Sequence, residues 1–114
     1  MRVFKEELSS LILAKLTRAG LRQDVAKMMT DALVWADMRG IHSHGAIRVE
    51  YYVTRLLEGG TNPDPQYRFT ATGPSTGIMD GDGGPGHAVA YLATEAGARQ
   101  AEESGVSVIG VRGM

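Results

Sequence analysis

The chain contains no cysteine, which rules out a disulfide framework, a thiol nucleophile and any thiolate metal site. It has no excess of one charge either. Twelve lysines and arginines stand against thirteen aspartates and glutamates, a formal net charge of -1, and the signs are interspersed. No basic patch invites nucleic acid or an anionic membrane surface. Long hydrophobic runs are missing as well. The opening MRVFKEELSSLILAKL has glutamates breaking its apolar residues where a signal peptide needs an unbroken apolar core, and no run reaches membrane-spanning length. These absences point to a soluble, cytoplasmic protein with neither a membrane nor a nucleic acid as partner. Repeats and low-complexity tracts are also lacking. A chain of 114 residues with 43% hydrophobic content is enough for one small domain.

The apolar residues that are present follow a helical period in the first half. Phe4, Leu8, Leu11, Ile12 and Leu16 form one stripe that stops at Ala19-Gly20, and Val25, Met28, Met29, Ala32, Leu33 and Ala36 form a second that runs to about Arg39-Gly40. The first helix faces the core or another subunit, and the methionines read as gap-filling core. A third helix is expected from near Ser43 to Gly59-Gly60, where TNPDP forbids continuation.

From there the period changes to two. Tyr67, Phe69 and Ala71 alternate with Arg68 and Thr70, Gly73-Pro74-Ser75 reads as a turn, and Thr76 to Asp80 as the partner strand of a hairpin. A helix from His87 to Glu103 ends at Gly105, and Val106 to Val111 reads as a buried strand. The expected class is α/β: a three-helix segment over 1–60, then a hairpin, a helix and a buried strand over 61–114. A buried strand running straight into Met114 reads as part of a longer fold.

Chemistry concentrates between Asp37 and Tyr52. DMRGIHSHGAIRVEYY holds two of the three histidines, two arginines, a serine and two tyrosines. If Ser43 caps a helix, then His44, Arg48 and Tyr52 follow at i, i+4 and i+8 on one face. Imidazole, guanidinium and phenol on one face suit a small organic acid: acid/base work from His44, a carboxylate clamp from Arg48, a hydroxyl from Tyr52. Each residue has a plainer role to set beside this. His44 can be a cap or packing group, Arg48 can pair with Glu50 or Asp37, and Tyr52 can lie over the core rim.

Other constellations are weaker. His42-Ser43-His44 spells His-x-His, but only His87, Asp80 and Asp82 remain as further ligands, so no metal is expected. Ser43 beside a histidine in sequence is not the spatial arrangement that activates a serine. Gly81, Gly83 and Gly86 fit G-x-G-x-x-G, yet the next strand ends in Arg112-Gly113 where a dinucleotide fold needs an acidic residue, so these glycines read as a tight strand-to-helix turn.

RGIHSHGAIRVEYY, followed by GGTNPDP and ending in GVSVIGVRGM, resembles the malate/L-lactate dehydrogenase family that lacks a Rossmann domain. The likeness runs the length of the chain. His42, where many members carry aspartate, points to the ureidoglycolate branch. The resemblance implies an oxidoreductase acting on a small-molecule 2-hydroxy acid with NAD or NADP, working as a homodimer, in allantoin-derived nitrogen use. It implies His44 as the catalytic residue and Ser43, Arg48 and Tyr52 as substrate-binding residues. It also places the cofactor contacts, and a second histidine that accepts the proton, mostly beyond residue 114, so the isolated chain is expected to be inactive.

Overall fold

The computed structural model describes residues 2–114, which divide into two compact units, residues 2–63 and 64–114. In the first unit, α1 (Lys5–Arg18) and α2 (Gln23–Met38) pack along the stripes their apolar residues define. Ile12 and Leu16 of α1 meet a core that includes Val25, Met29 and Leu33 of α2, all buried. The stripe on α1 packs only in its second half. Phe4 flanks the helix at its N-cap and is 73% exposed, and Leu11 is also exposed.

After α2 the chain reverses at Gly40, whose φ of +75° is one that glycine adopts without a steric penalty. Ile41 N–H closes the reversal by donating to Ala36 O at 2.9 Å. Here the structure departs from the expected long third helix. Two short 3₁₀ turns, His42–His44 and Ala46–Arg48, precede α3, which spans only Val49–Leu57. Gly45, at φ -102° and ψ -145°, lies between the turns and breaks the helical run. Buried Val49 and Leu56 dock α3 onto the unit's core.

The second unit begins with the hairpin β1 (Arg68–Gly73) and β2 (Thr76–Asp80), paired antiparallel from Arg68 opposite Asp80 to Gly73 opposite Thr76. α4 (Gly86–Ser104) then crosses over to β3 (Val108–Arg112), which lies parallel to β2. A parallel partner requires such a crossover, and the sheet order is β1-β2-β3. Met79, Val89, Ala93 and Ala96 form the core of this unit, with Tyr67, Phe69, Leu92 and Ile109 packed against it.

The expected final strand is present, but its burial is not. Among the described residues β3 pairs with β2 alone, and four of its five residues are exposed. An apolar β-branched run gives the same signal whether a second neighbour covers it or not. Among the described residues, no helix is long and apolar enough to cross a membrane.

Candidate functional site

Asp37 organises the dense stretch. It sits in the last turn of α2, where a carboxylate opposes the helix dipole, and its side chain is only 16% exposed. Two donors account for its place there. Ala46 N–H donates to one carboxylate oxygen at 2.7 Å, and His42 Nδ1 lies 2.8 Å from the other. Burial pushes the Asp37 pKa up. The hydrogen bonds from Ala46 and His42, together with the charge on His42, outweigh that and hold the carboxyl below its ordinary value.

The second 3₁₀ turn is therefore capped by Asp37, from another element, and Ser43 does not act as the helix cap. Ser43 lies inside the first turn. Its Oγ is 2.9 Å from His44 Nδ1, and its carbonyl oxygen accepts Arg48 Nε–H at 2.9 Å. His44 and Arg48 are thus both tied to Ser43 while remaining exposed. No protein group among the described residues engages His44 Nε2 or the two terminal NH₂ groups of Arg48.

The expected face of His44, Arg48 and Tyr52 survives in part. Arg48 is the N-cap residue of α3, and Tyr52 follows four residues later on that helix, half-buried and edge-on to Tyr51 at 5.7 Å. His44 has left the helical face, because Gly45 separates it from Arg48. The plainer roles proposed for Arg48 have other takers. Glu50 pairs with Lys15, and Asp37 holds His42 and the Ala46 amide.

His42 and His44 each turn Nδ1 to a different protein oxygen. Among the described residues, no three histidine, cysteine or acidic side chains are grouped as metal ligands. In the second unit the glycine-rich loop offers no phosphate cradle. Gly81 N–H donates to Arg112 O at 2.8 Å, Asp82 N–H to Asp80 Oδ1 at 2.9 Å, Gly83 N–H to Gly113 O, and Gly84 N–H to Gly81 O at 2.8 Å. Amides engaged in this way cannot turn to a pyrophosphate. The residues present therefore do not fit a nicotinamide dinucleotide at this loop.

The partnership of Asp37 with Gly45 is the feature that motif spacing misses. A Cβ on Gly45 would overlap the Asp37 carboxylate. The available signal was an aspartate in the C-terminal turn of a helix, an unfavourable place that calls for a compensating partner.

A family model described as malate/L-lactate dehydrogenase matches residues 3–114. The chain is 43% identical over 114 residues to ureidoglycolate dehydrogenase (NAD(+)) of Escherichia coli (strain K12), covering 100% of itself and 33% of that relative. Among solved structures it is similar to malate dehydrogenase from Pyrococcus horikoshii OT3, with TM-score 0.93 and 37% identity over 99% of this chain and 32% of that one. It is also similar to sulfolactate dehydrogenase from Methanocaldococcus jannaschii, with TM-score 0.92 and 35% identity over 98% of this chain and 33% of that one. The chain spans about a third of the length of the relatives it matches.

Proposed function

Because the chain belongs to the malate/L-lactate dehydrogenase family, we propose that its 42–52 segment binds a small 2-hydroxy acid in an enzyme that oxidises it to the 2-oxo acid. One observation carries this reading. Arg48 is oriented through Nε by the Ser43 carbonyl, while its outer NH₂ groups engage no protein partner among the described residues and the neighbouring carboxylates are held elsewhere. A guanidinium held by one nitrogen is preorganised to take a carboxylate with the others.

In this reading Arg48 clamps the substrate carboxylate and the Tyr52 hydroxyl orients it. His44, with Nδ1 fixed by Ser43, presents Nε2 to the substrate hydroxyl, where it polarises the reacting oxygen or assists proton transfer. NAD or NADP supplies the hydride acceptor when bound. No residue of this chain is assigned to holding it. Ureidoglycolate, oxidised to oxalurate, is the substrate favoured by the 43% identity to a ureidoglycolate dehydrogenase. Malate, lactate, sulfolactate and diketo sugar acids are the alternatives, since Arg48 reads only the carboxylate they share. The enzyme is read as a cytoplasmic homodimer with no nucleic-acid or membrane partner.

The test is NAD- and NADP-linked turnover of ureidoglycolate, malate, lactate and sulfolactate by the enzyme that carries this chain, with and without Arg48→Ala. Loss of a charge-assisted clamp is expected to lower kcat/KM by about 100-fold or more on the favoured substrate. An Arg48→Ala enzyme that keeps parental kcat/KM on every acid refutes the assignment.

A further inference from the structure

We propose that Asp37 is the positioning residue of this site, pinning both ends of the turn that carries His44 and thereby setting the Ser43 carbonyl that orients the Arg48 side chain. The inference rests on the carboxylate-site reading above for its functional meaning. It rests on geometry alone for the positioning. Asp37 takes its two donors from residues 42 and 46, which flank His44 symmetrically in the chain. One carboxylate thereby closes the base of the Ser43-His44-Gly45 loop from below. Gly45 leaves the room, because a side chain there would occupy the carboxylate's position.

The upper part of the loop is tied to itself and to Arg48. Ser43 Oγ meets His44 Nδ1, and Arg48 Nε–H reaches back to Ser43 O. Those bonds set His44 relative to Ser43 and Ser43 relative to Arg48 at the start of α3, but they do not set the base of the loop, residues 42 and 46, relative to the helix before it. That connection runs through α2. Its last turn presents Asp37, and its core side holds Val25, Met29 and Leu33 in the packed interior. A side chain on a well-packed helix is a more rigid anchor than an exposed 3₁₀ turn, so the order of α2 passes to the loop through one carboxylate. Asp37 touches no proposed reacting group and acts through the backbone of residue 46 and the side chain of residue 42.

The experiment uses the ¹⁵N-labelled 114-residue chain, followed by amide hydrogen exchange and by the side-chain signals of His44 and Arg48, with glycolate as the simplest 2-hydroxy acid probe. Asp37→Ala is expected to speed exchange at Ala46 by about tenfold or more and to average the His44 and Arg48 signals, because local opening loses its anchor. Asp37→Asn keeps the shape and an acceptor for Ala46 N–H, and should return exchange to within about threefold of the parent. Leu33→Ala, a cavity in the core of the same helix, lowers global stability and should leave the Ala46 rate near parental.

The proposal is overturned if Asp37→Ala leaves Ala46 exchange and the His44 signals as in the parent, or if Leu33→Ala loosens them equally. Glycolate separates this outcome from failure of the functional reading. If glycolate moves no His44 or Arg48 signal in the parent, the carboxylate reading falls, while Ala46 exchange still decides whether Asp37 positions the loop.

Discussion

Gly45→Ala adds a single methyl group, and its cost should depend almost wholly on whether Asp37 is present. The φ of -102° at Gly45 is not left-handed, so the methyl group incurs no positive-φ penalty. The obstacle is steric, since the new Cβ would overlap the carboxylate carbon and both of its oxygens. Either the loop lifts or the carboxylate swings away, and both movements break the bond from Ala46 N–H. A hydrogen bond to a charged group contributes about 1.5–3 kcal/mol. His42, 74% exposed, adds roughly 0–1 kcal/mol.

Gly45→Ala and Asp37→Ala should therefore each cost about 2–3 kcal/mol, and the double variant should cost about the same as either single one. The coupling is then about 2 kcal/mol, where independent sites would show none. Trp35 is the only tryptophan and lies on α2, so its fluorescence during urea unfolding follows the first unit without a signal from the second. Costs of the two single variants that simply add in the double variant would refute the placement of the carboxylate beneath Gly45.

Acid should destabilise the two units through different groups. Asp37 and Asp24 both have lowered pKa values, so their stabilisation is complete above the unfolded value of 3.8 and is lost as pH falls through the lower folded value. Asp37→Asn should flatten that limb of the Trp35 unfolding curve, and an unchanged acid limit would refute the contribution. In the second unit, burial lowers the His87 pKa from 6.5. Above 6.5 it has no effect, and as pH falls from there toward the folded value the unfolded state takes up the proton first and the unit loses stability. His87→Gln should remove that loss, as measured by exchange of α4 amides between pH 7 and 5. Gly97 abuts Ser107 and Ile109, with a built Cβ at 3.0 Å from Ser107 Oγ and 3.1 Å from Ile109 Cγ1. Gly97→Leu should overpack the contact between α4 and β3 and cost about 1–3 kcal/mol. Val89 and Ala93 amides that exchange at parental rates would contradict it.

The elements that can be read from the sequence are those whose signal is local and repeated. Ile12 and Leu16 on α1, and Val25, Met29 and Leu33 on α2, recur at the helical period and are buried accordingly. Gly105 stops α4 at φ +89°, and Pro74-Ser75 turns the hairpin. The exposure of β3 and of Phe4 was not legible, because apolar character states only that a residue can be buried. Whether it is depends on which neighbours are present.

The site shows the same limit in a sharper form. His44, Arg48 and Tyr52 stand out by residue type, and a continuous helix through all three is the simplest geometry for their spacing. One glycine undoes it. Gly45 carries no hydrophobic or helical signal strong enough to announce a break, and the reason for the break, a carboxylate eight residues earlier in the chain, belongs to a different element. A cap supplied by a side chain from outside the segment leaves no mark within the segment. Such a break still has a local clue at its source. An aspartate in the last turn of α2 opposes the helix dipole, and the structure shows its compensation in the Ala46 amide and the His42 ring. A charge that is locally misplaced is therefore a more useful pointer to long-range structure than the reactive side chains it supports.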